Sequence, residues 1–139
     1  MTGPASRPVA RPGLVHGTLL AGSTLISVAL VGFTAYRGPT AAATSPVFFI
    51  YFPFLFAIPA VGVAFVFRQL CAPQAPGTSL DQWWSRQGGK ALACWGLLES
   101  TAIVGAMFHV LTGSLLPLVV TAAGLVLLAL SGPDRLNQP

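Results

Sequence analysis

The sequence predicts an all-α, polytopic membrane protein with four transmembrane helices, both termini cytoplasmic, and a short interfacial helix between helices 2 and 3. Three observations carry this reading. Only 7% of the 139 residues are charged and 54% are hydrophobic, whereas a soluble domain carries about 25% charged residues. Mean hydropathy is +0.76. The apolar residues are gathered into four blocks, each about long enough to cross a bilayer. Basic residues lie almost entirely outside those blocks, on alternate connections.

Span 1 is read from Leu14 to Tyr36, span 2 from Pro46 to Phe67, span 3 from Lys90 to Leu111 and span 4 from Ser114 to Ser131. Residues 1–13 then form a disordered cytoplasmic tail, residues 14–131 the transmembrane domain and residues 132–139 a second cytoplasmic tail. Each span must be helical, because lipid offers backbone N–H and C=O groups no partner. Barrel strands are shorter and alternate apolar with polar residues, which these blocks do not. Gly38-Pro39 ends span 1, and Ala41-Ala42-Ala43 is read as loop and not as a signal cleavage site. Pro46 suits the first turn of span 2, while Pro53 and Pro59 inside it each remove one helical hydrogen bond and predict a kink. Thr112-Gly113-Ser114 leaves room only for a tight antiparallel hairpin between spans 3 and 4.

Orientation follows from charge. Arg7, Arg11, Arg68, Arg86, Lys90 and Arg135 fall on one side of a chain with four spans, and only Arg37 on the other. The positive-inside rule then puts both termini in the cytoplasm of a cell whose inner (plasma) membrane holds the protein. The net charge of +4 is accounted for by this topology and predicts no nucleic-acid partner.

The one long connection runs from Gln69 to Gly89. Ser79 and Gln82 have capping-box spacing, which predicts a short helix there. Trp83 and Trp84, beside Arg86, are predicted as interfacial anchors or a partner-docking patch, with Gly88-Gly89 bending the chain into span 3.

Several chemistries are missing. The sequence holds no phosphate loop, no dinucleotide fingerprint and no plausible catalytic set, so it predicts neither an enzyme nor a cofactor. Cys71 and Cys94 lack metal-ligand spacing, and no metal is expected. His16 and His109 fall near opposite ends of their spans, about 25–30 Å apart in depth, too far to share a haem within one chain.

Glu99 stands out as the one acidic residue inside a span. It lies within about 3 Å of the middle of span 3 along the helix axis. A charged side chain there costs at least ~2.5–3.5 kcal/mol, so the neutral carboxyl is cheaper and should face other helices. Lys90 and His109 lie too far along the same helix to meet it directly. Ser23, Thr24 and Ser27 on span 1, Thr121 on span 4 and Tyr51 on span 2 are the expected hydroxyl partners. Gly13, Gly17, Ala21 and Gly22 on span 1, with Gly96, Ser100, Ala102, Gly105 and Ala106 on span 3, predict close helix packing.

The run Leu98-Glu99-Ser100-Thr101-Ala102-Ile103-Val104-Gly105 resembles the carboxylate segment of rotary ATPase proteolipids. That resemblance implies that Glu99 carries a proton or sodium ion. It covers only this run: span 1 lacks the glycine ladder of that family, and the carboxylate falls in span 3 instead of span 4. The whole layout resembles small uncharacterised four-helix bacterial integral membrane proteins with a glutamate in the third helix before a tight hairpin. Two functions are therefore expected. One is a structural or accessory subunit of a membrane complex, meeting lipid and a membrane-protein partner or a second copy of itself, with Glu99 as a buried hydrogen-bonding group. The other is proton or cation handling with Glu99 as the titrating carboxylate.

Overall fold

A computed structural model describes residues 11–40 and 47–136. These form five helices in chain order: α1 (Pro12–Arg37), α2 (Val47–Leu70), α3 (Leu80–Thr112), α4 (Leu116–Leu130) and α5 (Pro133–Leu136), with no strand among the described residues. α1, α2 and α3 are each long and apolar enough to cross a membrane. α4 is apolar but has 15 residues, about 22 Å of helix against a hydrocarbon core of about 30 Å.

Local chemistry accounts for the ends. Pro12 starts α1, where its fixed φ suits the first turn. Gly38, at φ 76°, closes α1 and donates its N–H to Thr34 O. α2 runs unbroken through both Pro53 and Pro59. At the start of α3 the predicted capping box is present: Gln82 N donates to Ser79 Oγ, and Ser79 N donates to Gln82 Oε1. Gly113 ends α3 in the left-handed conformation at φ 67°, which turns the chain into α4 within a few residues.

α3 is the hub and packs against α1, α2 and α4. Its buried residues Trp84, Gly88, Ala91, Trp95, Leu98, Ala102, Gly105 and His109 recur at alternating spacings of four and three. Such a seam faces its neighbours along the whole helix. Small residues set the distance to α4. A Cβ on Gly105 would fall 2.6 Å from the Thr121 backbone nitrogen, and one on Gly124 would fall 2.6 Å from that of Ala102.

On α1 and α2 burial is inverted relative to a water-soluble protein. α1 buries His16, Ser23, Ser27 and Thr34 and exposes Leu25, Ile26, Val28 and Phe33. α2 exposes Phe48, Leu55, Ile58 and Phe65 while burying Ala60 and Ala64. Water would reject that outer surface, whereas lipid tails accept it and leave polar and small side chains to join the helices.

Three expectations are corrected. No separate interfacial helix precedes span 3: α3 is continuous over 33 residues, about 50 Å, so its first turns project past a ~30 Å core. Gly88 and Gly89 do not bend it, and Gly88 instead seats the Trp84 ring, whose Cδ2 would lie 3.1 Å from an added Cβ. The N-terminal tail ends earlier than residue 13, because α1 begins at Pro12. Residues 1–10, Ala41–Pro46 and 137–139, and with them Arg7 and the Ala41-Ala42-Ala43 reading, lie outside the described residues.

Candidate functional site

Glu99 sits on the α1-facing side of α3 and is half-buried. Ser23 of α1 lies 3.2 Å from Glu99 Oε1 and also donates to Leu19 O at 2.6 Å. A hydroxyl has one hydrogen and two acceptor positions. The one hydroxyl hydrogen of Ser23 therefore lies between two acceptors, Leu19 O and Glu99 Oε1. The contact joins helices 76 residues apart in sequence.

The other expected partners fall elsewhere. Thr24 is exposed and donates back to Leu20 O. Tyr51 is 53% exposed on the outer face of α2. Ser27 and Thr121 are buried, yet Ser27 Oγ and Thr121 Oγ1 have no hydrogen-bond partner among the described residues. Both line a groove of about 450 Å³ between α1 and α4. Of the five hydroxyls, only Ser23 reaches the carboxylate.

Trp83 and Trp84 are 3% and 9% exposed, which corrects their reading as surface anchors or a docking patch. Trp83 Nε1 donates to Ala72 O at 2.7 Å and ties the connecting segment to α3. Trp84 stacks on Trp95 with centroids 5.7 Å apart, and Trp95 meets His16 at 4.9 Å. Arg86 is exposed nearby on α3. The predicted patch is thus the packed centre of the end of the bundle that carries most of the basic residues. Its signal was available in the sequence: Trp84 and Trp95 are 11 residues apart, three helical turns, and share one face if the helix is continuous.

His16 is buried, and its Nε2 donates to Leu128 O at 2.8 Å. His109, also buried, donates from Nδ1 to Ser114 O at 2.8 Å and so closes the α3–α4 turn. Both cysteines are free thiols, and no group of three potential metal ligands occurs among the described residues.

Chemically, the site is a single carboxyl with one hydroxyl partner, set in an apolar surround. Such a group can exchange a proton or lock two helices together. Comparison with protein-family models, curated proteins and solved structures gives no match to this chain.

Proposed function

We propose that this chain is a small multi-pass protein of a bacterial inner membrane, with α4 as the fourth span and both termini cytoplasmic, serving as a structural or accessory subunit of a membrane complex. The contact between Glu99 and Ser23 carries the reading, since it spends the chain's one intramembrane carboxyl on fastening α1 to α3. Charge placement supports the orientation. Arg11, Arg68, Arg86, Lys90 and Arg135 gather at the end where α1 begins and α4 finishes, and Arg37 stands at the other. α3 also keeps an exposed face, with Gly89, Leu92, Ser100 and Met107, onto which a partner helix or a second copy can pack.

Co-purification in a mild detergent tests this reading. A stable complex is expected, and the Glu99→Gln variant should assemble and function normally, because an amide still bonds to Ser23. Loss of function in a well-expressed Glu99→Gln protein would overturn the structural role.

A second reading, proton or cation handling by Glu99, is favoured by the unpartnered hydroxyls of Ser27 and Thr121. Ser27 follows Ser23 by one turn, and the groove that it lines shares Val31 and Leu118 with a cavity bordered by Thr34 and His109. Ser27 and Thr121 thus stand in a largely apolar groove that leads toward the His109 end. Under this reading, reconstituted protein shows proton or cation flux that Glu99→Gln abolishes, and sealed liposomes without flux exclude it.

A further inference from the structure

Arg68 closes the last turn of α2, and Arg135 lies on α5. The two residues are far apart in sequence but line one cavity of about 780 Å³ together with Phe65, Cys71 and Leu136. Both are exposed, and neither guanidinium makes a hydrogen bond or ion pair among the described residues. Asp134, although next to Arg135 in the chain, is not in the lining, and no other acidic residue is. A third cation, Lys90, stands close by and donates to Leu70 O at 2.8 Å, at the end of α2.

This basic cavity continues toward the apolar part of the bundle. A narrow slot of about 50 Å³ shares Phe65 and Arg68 with it and runs between α2 and α4 along Val61, Ala64, Leu98 and Leu127. The slot has room for only a few methylenes. Beyond it, the surfaces of the two helices are apolar, with Ile58, Val126 and Leu130 exposed.

We propose that this groove binds an anionic phospholipid. The head-group phosphate sits between the Arg68 and Arg135 guanidiniums, and the start of one acyl chain enters the slot between α2 and α4. Guanidinium pairs recognise phosphate oxygens through directed N–H groups. Basic pockets between helices on the cytoplasmic side are suited to such head groups. The lack of a lining carboxylate decides the head-group class. A choline or ethanolamine cation would meet two like charges and no counter-charge, whereas an anionic head group meets only attraction. The apolar slot favours a lipid over a free anion, which would leave Val61 and Leu127 unused.

The test is lipid binding to the full chain in neutral detergent, read by native mass spectrometry, with phosphatidylglycerol and phosphatidylcholine as probes. The wild-type protein should prefer phosphatidylglycerol by about 10-fold or more, given about 1 kcal/mol for each arginine near the head groups. Arg68→Gln with Arg135→Gln should bring that preference close to unity, and Arg135→Gln alone should remove part of it. Arg11→Gln and Arg86→Gln, at the same end but outside the groove, should leave it unchanged. Equal losses in these controls would mean diffuse surface attraction and overturn the site. Displacement of phosphatidylglycerol by millimolar inorganic phosphate would make a free anion the ligand and overturn the lipid assignment.

Discussion

His16 and Trp95 meet ring to ring at 4.9 Å, and both donate into the end of α4. His16 Nε2 reaches Leu128 O at 2.8 Å and Trp95 Nε1 reaches Ser131 O at 2.6 Å. The last carbonyls of a helix have no partner within it. Leu128 O also accepts from Ser131 N at 3.1 Å, whereas Ser131 O takes its donor from Trp95, so one pair of rings from α1 and α3 fastens three helices at the buried end of the bundle.

Replacing Trp95 by Phe keeps a ring against Trp84 and removes the donor to Ser131 O. A buried carbonyl left without its partner costs about 1–3 kcal/mol. Thermal unfolding in detergent should show Trp95→Phe destabilised by that order. An unchanged midpoint would mean that the bond contributes nothing net.

The α3–α4 contact predicts an asymmetry among glycines. In Gly105→Ala the new methyl would meet the Thr121 and Pro117 backbones at 2.6 and 2.7 Å, and in Gly124→Ala it would meet the Ala102 backbone at 2.6 Å. Backbone cannot swing aside as a side chain can, so each should destabilise by about 1–3 kcal/mol. Gly17→Ala meets nothing within 4 Å and should be neutral or gain up to about 1 kcal/mol from helix propensity. Denaturant midpoints of the three variants decide this, and equal effects at all three positions would refute it.

All three tryptophans are buried. Their combined emission should be blue-shifted and poorly quenched by acrylamide, in detergent and in vesicles alike. Gly88→Val should disturb it most, because the added side chain lands on the Trp84 ring. Strong quenching in the wild-type protein would restore Trp83 and Trp84 as exposed surface residues.

Burial raises the thiol of Cys71 above its usual value, against the weaker lowering by the charge of Lys90. The thiol is therefore held neutral in the folded chain. Its stabilising effect is fully present below the unfolded thiol pKa of about 8.5 and fades as pH rises through the higher folded value. Maleimide labelling at neutral pH should be slow in folded protein and fast after denaturation, and the folded rate should climb only at alkaline pH. Labelling at the rate of a free thiol at neutral pH would contradict this environment.

Much of this protein is written locally. Helical class, the apolar blocks and the one-sided gathering of Arg68, Arg86, Lys90 and Arg135 follow from residue type and chain order, because solvation acts on each segment separately. The Ser79–Gln82 capping box and the Gly113 turn were legible for the same reason, as short-range chemistry. The length of α3 was less so: Gly88-Gly89 read as a break until the seam from Trp84 to His109 showed one unbroken face.

Tertiary structure decided what no segment could. Glu99 had five candidate hydroxyls at similar depth, and only the rotation of α1 against α3 selected Ser23. Trp83 and Trp84 were interfacial by composition but became core once α3 extended past the apolar span and the connection folded back onto it. Arg68 and Arg135 became one groove because the ends of α2 and α4 arrive together. Sequence alone determined which segments leave water, since that depends on each residue's own solvation. Packing determined which side chains meet, since that depends on the relative rotation and depth of helices distant in the chain.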